Sequence, residues 1–257
     1  MKGACFVVFL FVMIFFSSQA QAIVNVEDAI IDPDKDGVNT ALNISVSGAN
    51  SNTVKSNSRV TLLTHWQHNI HTDFLSLKHR FGRINGVTNT NSAFVHYRHR
   101  TQLNPDWAAE VFTQLSRDLF ARMSRRLLLG SGVRWTILEK VNKSSVYMGL
   151  GAFHERETLS KKAGTTDQVD TSLWRSNIYL VLKYQLNDHV RLTNTLYYQP
   201  SFKSSADHRL LEQATAVVNL HENIDLTVSI DFIKDSMPPQ TVKKDNFYYL
   251  TGISIRF

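Results

Sequence analysis

The segment DPDKDG, at residues 32–37, carries the residue types of a calcium site. It matches the first half of a D-x-D-x-D-G loop, in which carboxylates supply hard oxygen ligands around a tight turn. The second half is missing, because the twelfth position of such a loop is Asn43 instead of a bidentate glutamate. We predict a polar linker and no bound metal or other cofactor, with Asp32, Asp34 and Asp36 as weak calcium candidates.

Three histidines, His65, His68 and His71, lie close together in the segment HWQHNIH. Imidazoles are common metal ligands, but this spacing specifies no coordination geometry. We therefore interpret the three as polar residues around a turn between strands.

Serine and histidine residues are numerous, but none forms a recognised catalytic motif. The chain has no G-x-S-x-G nucleophile pattern. It also lacks the His-x-Ser arrangement of an outer-membrane phospholipase, a barrel of similar size. We predict that the protein is not an enzyme.

Basic residues recur at alternating positions, where strands would point all of them to one side. The set is Arg59, Lys78, Arg80, Arg98, Arg100, Arg126, Arg134, Arg175, Lys183, Arg191 and Arg256. The acids on the same side are Glu110, Glu155, Asp225 and Asp231. So many charges cannot fill a dry core, because an isolated buried ion costs several kcal/mol. They predict that this side of the strands faces a water-filled interior, such as the lumen of a β-barrel, and they mark a candidate path for a solute.

Two interpretations of this lumen stay open. Rings of positive side chains favour anions, and arginine binds carboxylates and phosphates through paired hydrogen bonds, which predicts a narrow channel or binding pocket for small anionic solutes. Alternatively, the arginines pair with the acids, and the protein is an occluded structural or stress-related envelope protein without transport. Gly130, Gly132, Gly149 and Gly151, on the same side, would make room for a solute or let the wall bend.

The chain begins with the features of a secretory signal peptide. Lys2 precedes the apolar run FVVFLFVMIFF, and Ala20 and Ala22 form an A-x-A cleavage pattern. The run is shorter than the roughly 20 residues of a membrane-spanning helix. We predict a cleaved signal peptide at residues 1–22, which includes the single cysteine, Cys5, a polar periplasmic segment at residues 23–39 and a barrel at residues 40–257.

The formal net charge of +6 does not indicate a nucleic-acid partner. The basic residues alternate with apolar ones along strands and do not form one exposed patch. Basic residues of the predicted loops, Lys161, Lys162, Lys243 and Lys244, would instead contact anionic lipid headgroups.

Apolar and polar residues alternate in about twelve segments from Thr40 to the C-terminus. In IDLTVSIDF, for example, Ile224, Leu226 and Val228 alternate with aspartate, threonine and serine. The segments are roughly 9 to 11 residues long, as tilted transmembrane strands require. The pattern predicts an all-β fold, a single transmembrane antiparallel up-and-down β-barrel of about 12 strands.

Aromatic residues and connection lengths support a membrane barrel over a soluble one. Large aromatics lie at strand ends on the apolar side, as in the girdles of membrane barrels. The candidate girdle is Trp66, Trp107, Trp135, Trp174, Tyr184, Tyr198 and Phe257. Connections after the first, third, seventh and eleventh strands (GANSNTVKSN, GRINGVTNTN, RETLSKKAGTTDQVDTS and KDSMPPQTVKKD) read as long loops, whereas NPD, ND and HEN read as tight turns. RDLFAR, after the fifth strand, is shorter than this rule predicts.

The C-terminal quarter, with PPQTVKKDNFYYLTGISIRF, and the middle section WAAEVFTQLSRDLFARMSRRLLLGSGVRW resemble a bacterial family named for salt-induced outer membrane proteins. The resemblance extends from about residue 39 onward and implies one barrel in the outer membrane of a Gram-negative bacterium, with no catalytic residues. The terminal Phe257 resembles the signal read by the outer-membrane assembly machinery. Expected partners are therefore that machinery, outer-membrane lipid and lipopolysaccharide, and small anions. A surface receptor or adhesin acting through the loop around residues 161–171 is a further alternative.

Overall fold

The computed structural model describes residues 36–141, 144–221 and 224–255. None of these residues belongs to a helix long and apolar enough to cross a membrane. They form twelve strands, which confirms the predicted all-β fold. The strands are β1 (Gly37–Asn50), β2 (Val54–His68), β3 (His71–Ile84), β4 (Val87–Gln102), β5 (Trp107–Asp118), β6 (Met123–Val141), β7 (Ser144–Leu159), β8 (Asp170–Gln185), β9 (Val190–Pro200), β10 (His208–His221), β11 (Ile224–Asp235) and β12 (Asp245–Ile255).

Each strand pairs antiparallel with its neighbour in the chain, in the order β1 to β12. Among the described residues no ladder joins β12 back to β1. Connections that follow odd-numbered strands lie at one end of the sheet, which we call the loop end. Those that follow even-numbered strands lie at the other, which we call the terminus end because β1 begins there.

The two faces of the sheet differ in character, as the alternation predicts. On β5, Trp107, Val111 and Leu115 are exposed on one side, whereas Glu110 and Gln114 are buried on the other. The antiparallel register carries this division from strand to strand, because the side-chain period of a strand is two. The exposed side, here called outward, is apolar, and the inward side holds most of the charge.

Contacts between strands that are not neighbours show that the sheet curls around a lumen. The hydroxyl of Tyr179 on β8 donates to Glu110 on β5 at 2.8 Å, and Arg209 on β10 donates to Glu155 on β7. Side chains of β2, the strand next to one edge of the sheet, and of β12, at the other edge, line a single cavity. The molecule therefore has the form of a barrel, with inward-facing side chains meeting across its centre.

The strands are longer than predicted, and two of the predicted long loops are tight turns. The strands run from 11 to 19 residues, compared with roughly 9 to 11 for a strand that only spans the membrane. β1 begins at Gly37 and continues to Asn50, and β3 and β4 are joined by a turn at residues 85 and 86. GANSNTVKSN and GRINGVTNTN are therefore mostly strand.

The long connections at the loop end are residues 160–169, 201–207 and 236–244. The first and third match predicted loops, whereas the second had not been singled out. Every described connection at the terminus end is short, including residues 103–106 and 186–189, which contain the predicted tight turns NPD and ND. The barrel therefore has one end with short turns and one with longer loops.

Two inward glycines make room for aromatic rings of the barrel itself. A Cβ atom at Gly149 would lie 1.9 Å from the Tyr179 ring, and one at Gly130 would lie 2.5 Å from the Phe112 ring. Real Cβ contacts are never so close, so these rings occupy the space that larger residues would need. The room predicted for a solute is filled by side chains at these two positions.

Candidate functional site

The barrel lumen is the candidate functional site, because it gathers the basic residues singled out in the sequence. All of the described ones point inward, and they fall into four groups. Arg126 and Arg175 lie around Glu155, and Arg98, Arg100 and Arg134 lie around Glu110. Arg59, Lys78 and Arg80 line a cavity, and Lys183 and Arg191 lie at the terminus end. Arg256 lies outside the described residues.

The Glu155 cluster, nearer the loop end, has Glu155 at its centre. Its Oε2 atom accepts hydrogen bonds from Arg126 Nη2 at 2.6 Å and Nε at 2.9 Å, and another from Arg209 Nη1. The Nε atom of Arg175 lies 3.6 Å from the other carboxylate oxygen. Arg126 and Glu155 are each 1% exposed, so one buried carboxylate faces three guanidinium groups.

Further carboxylates complete the Glu155 cluster. Arg175 Nη2 donates to both carboxylate oxygens of Asp207, at 2.8 and 3.0 Å. Arg209 donates to Asp235 at 2.9 Å and to Glu157 at 3.1 Å. Because bidentate and charge-assisted hydrogen bonds are among the strongest in proteins, the cluster joins five strands and a loop into a rigid unit.

The Glu110 cluster lies nearer the terminus end. Glu110 accepts from Arg100 Nε at 2.8 Å and from the Tyr179 hydroxyl at 2.8 Å, and Arg98 Nη1 lies 3.6 Å away. The guanidinium of Arg134 stacks on the Tyr147 ring, 4.0 Å from its centroid. The arginines here are thus engaged by a carboxylate and by aromatic faces, and the lumen is filled at this level too.

A cavity of about 250 Å³ lies in the loop half, between β2–β6 and β10–β12. We call it the basic cavity, because Arg59, Lys78 and Arg80 line it, together with Asp118 and Asp231. Arg59 and Arg80 are directly opposite each other on β2 and β3. Like charges in that position repel, so an anion between these two side chains would be favoured.

Three connections at the loop end converge on Arg122, in what we call the Arg122 cluster. Arg122, in the β5–β6 turn, donates to Asp167 in the β7–β8 connection and to the Gln240 carbonyl in the β11–β12 connection, the latter at 2.8 Å. The Gln240 N–H donates to Asp167 at 2.9 Å. This N–H and then the Arg122 guanidinium hold the pKa of the Asp167 carboxyl below its ordinary value of 3.8. These contacts hold the loops together over the barrel mouth.

The weak metal candidates do not converge. Asp36 accepts a hydrogen bond from the Asn69 N–H at 3.1 Å, while Asp32 and Asp34 lie outside the described residues. His65 is buried on the inward side, whereas His68 and His71 lie on the outward side. Within residues 36–141, 144–221 and 224–255, no group of three or more candidate ligands is placed to hold a metal ion.

The predicted aromatic girdle lies on the outward side at both ends of the strands. Trp66, Trp107, Trp135 and Tyr184 are at the terminus end, where the rings of Trp107 and Trp135 stack with centroids 5.7 Å apart. Trp174 and Tyr198 are at the loop end. Phe257 lies outside the described residues, as does the predicted signal peptide.

Sequence reasoning missed two residues that organise the lumen and its mouth. Arg209 lies near the start of β10, and extending the alternation of the residues that follow to Arg209 would have placed it inward. Arg122 lies in a turn and contacts residues 45 and 118 positions away in the chain. No local pattern could have indicated that role.

A family model described as "Protein of unknown function, DUF481" matches residues 41–257, which include nearly all of the barrel. The chain belongs to the DUF481 family. That description does not include the salt-induced name suggested by the sequence resemblance. A comparison with curated proteins found no match.

Among solved structures, the chain is similar to three membrane-barrel proteins at low sequence identity. The NanC porin is 11% identical, with 84% of this chain and 100% of that one covered and a TM-score of 0.47. The translocator domain of the autotransporter NalP from Neisseria meningitidis is 12% identical, with 90% and 92% covered and a TM-score of 0.48. The β domain of the Bordetella autotransporter BrkA is 12% identical, with 86% and 99% covered and a TM-score of 0.42.

Proposed function

We propose that the protein is exported and resides in the outer membrane of a Gram-negative bacterium, with its terminus end in the periplasm and its loop end outside. The apolar outward face, the aromatic residues at both of its ends and the short turns at one end support this location. The final strand would be read by the outer-membrane assembly machinery. The surrounding lipid and lipopolysaccharide would be the main partners.

In that membrane the barrel acts as an occluded structural component of the envelope, without transport or enzymatic activity. The observation that carries this proposal is the Glu155 cluster, in which the charges that would attract an anion are already neutralised by one buried and several half-buried carboxylates. The Glu110 cluster fills the other half of the lumen, and the Arg122 cluster holds the loops over its mouth. A solute would have to break several buried ion pairs to pass, each costing several kcal/mol.

Planar-bilayer recording of the refolded protein tests this proposal. We expect no stepwise conductance at any voltage, because the ion pairs leave no continuous aqueous path. A steady anion-selective current that Arg98→Ala or Arg134→Ala weakens would overturn the occluded barrel and support the channel. A folded barrel is expected to migrate more slowly on a gel after the sample has been heated. The absence of this shift would count against the membrane barrel itself.

The basic cavity supports a second candidate function, retention of a small anion by the basic residues that line it. Its carrying observation is the direct opposition of Arg59 and Arg80, which an anion between them would relieve. We expect sulfate to raise the unfolding temperature of the wild type and to lose this effect in Arg59→Gln. The matched control is Arg191→Gln, which removes an exposed inward charge at the terminus end and should leave the sulfate response intact.

A further inference from the structure

Three arginines on the outward side of β5, β6 and β7 form a compact basic patch at the loop end. We call Arg117, Arg125 and Arg156 the rim arginines. All three are exposed. Arg156 on β7 is directly opposite Leu127 on β6. Leu127 lies two residues after Arg125, so Arg125 and Arg156 are diagonal neighbours. Such neighbours have Cβ atoms roughly 7 to 8 Å apart. The bulge between Ser116 and Asp118 brings Arg117 next to Arg125 on the other side.

The rim arginines end the apolar face of three consecutive strands at the same level. On β5 the outward row runs from Trp107 to Arg117, and on β6 from Trp135 back to Arg125. With a rise of about 3.3 Å per residue and a tilt of about 40°, each row spans roughly 25 Å along the membrane normal, which is the height of the apolar band of a membrane barrel. On these strands, Trp107 and Trp135 therefore mark one boundary of the apolar band, and the rim arginines mark the other.

No carboxylate of the described residues forms an ion pair with a rim arginine. Arg117 donates one hydrogen bond, to the amide oxygen of Asn91 at 3.1 Å. The nearby carboxylate on the outward side, Asp170, accepts instead from the Thr158 hydroxyl at 2.7 Å. Three guanidinium groups close together with no protein anion between them form a site for an external anion.

The connection next to this patch exposes apolar side chains instead of a polar loop. The β5–β6 turn is only residues 119–122, and Leu119 and Phe120 in it are 43% and 44% exposed. Such an apolar tip beside arginines matches the boundary between acyl chains and headgroups, where apolar and basic groups act together. A soluble acidic partner would bind the arginines but would not bury the exposed side chains of Leu119 and Phe120.

We propose that the rim arginines and the β5–β6 turn bind a phosphorylated glycolipid of the outer leaflet, with its phosphates on the guanidinium groups and its acyl chains along β5–β7. This inference rests on the proposed membrane location, which sets the loop end in the outer leaflet. It adds a specific lipid site on the outer wall and does not depend on whether the lumen conducts.

Retention of diphosphoryl lipid A by the full chain, refolded in a neutral detergent, tests the lipid site. We expect the triple variant Arg117→Gln/Arg125→Gln/Arg156→Gln to retain lipid A roughly tenfold to hundredfold more weakly, and Arg156→Gln alone about fivefold more weakly, because each basic residue near an anionic surface contributes a comparable increment. The control variant Lys55→Gln/Arg191→Gln/Lys203→Gln removes the same charge from exposed positions outside β5–β7 and should bind within about twofold of wild type.

Three results would each overturn the lipid site: undiminished binding by the triple variant, an equal loss in the control variant, or displacement of lipid A by millimolar inorganic phosphate. The last result would indicate a site for soluble phosphate instead. Dephosphorylated lipid A, with the same acyl chains, should not be retained. Heating-dependent gel migration, recorded on each sample, separates failure of this site from failure of the proposed barrel.

Discussion

Arg125 and Arg126 are adjacent in the chain, and their surroundings are opposite. Arg126 points inward, is 1% exposed and donates two hydrogen bonds to Glu155. Arg125 points outward, is exposed and has no ion pair among the described residues. The same contrast separates the lumen clusters from the rim arginines as groups. It shows that the side of the sheet, and not the residue type, decides whether an arginine here holds the fold together or faces an external partner.

Glu155→Gln is the strongest test of the lumen side of this contrast. The substitution leaves Arg126, Arg175 and Arg209 buried with one carboxylate fewer, so we expect a loss of about 3 to 5 kcal/mol in the free energy of unfolding. Urea unfolding of the refolded protein in detergent measures it. Glu139→Gln, at an exposed position of β6, should change stability by less than about 0.5 kcal/mol. Equal losses in the two variants would mean that the Glu155 cluster stabilises the fold no more than an exposed carboxylate does.

Gly149→Ala tests whether aromatic rings fill the lumen. The added methyl group would lie 1.9 Å from the Tyr179 ring, whose hydroxyl also holds Glu110. We expect a loss of about 1 to 3 kcal/mol from overpacking, measured by the same unfolding experiment. Gly252→Ala is the matched control, because nothing lies within 4 Å of its added Cβ. A neutral Gly149→Ala would show that the space around it is free, and the solute interpretation of these glycines would regain support.

Arg122→Gln tests the contacts that hold the loops together without touching either lumen cluster. Its loss removes the donors to Asp167 and to the Gln240 carbonyl. Because these bonds include one between two charged groups, local opening should become easier by roughly tenfold or more. Trypsin should then cut faster after Lys161 and Lys162, in the β7–β8 connection. Arg125→Gln, which removes an exposed charge from the neighbouring strand, should leave that rate unchanged.

The same loop contacts should weaken in acid, by a smaller amount. The pKa of Asp167 lies below its ordinary value of 3.8, so its ionised form stabilises the closed loops above that value. The contribution is lost as the pH falls through the lowered pKa of the folded state. Spin labels at Ala163→Cys and Met237→Cys, in a Cys5→Ser background, should show a distance distribution that broadens only below pH 3.8. Asp167→Asn should remove this pH dependence, and a broadening that persists in it would point to another group.

The rim arginines should have the smallest effect on stability. Replacing all three with glutamine removes exposed charges that repel one another, so we expect a change within about 0.5 kcal/mol per site in urea unfolding. Together with weakened lipid A retention, that result would separate binding from folding on the two sides of one sheet. A large destabilisation would instead place the rim arginines with the lumen clusters as structural residues.

Several elements of the barrel could be predicted from local patterns because a strand has a period of two. The inward side of Arg98 and the outward side of Trp107 both followed from alternation. The strand ends of β1 to β4 were harder to predict, because beyond the apolar band both sides meet water and the alternation disappears. Polar residues such as those of GANSNTVKSN then read as loop although they continue the ladder.

The amino-acid sequence by itself determined which side each strand shows to its surroundings, since that depends only on neighbouring positions in the chain. The sequence was also compatible with two different lumens, an open path lined by basic residues and a closed lumen filled by ion pairs. The tertiary structure brings Arg209 to Glu155 and Tyr179 to Glu110 across the barrel, and these contacts support the closed lumen that we propose. Ion pairing depends on distances of a few ångströms between strands far apart in the chain, and these distances exist only after the sheet has curled.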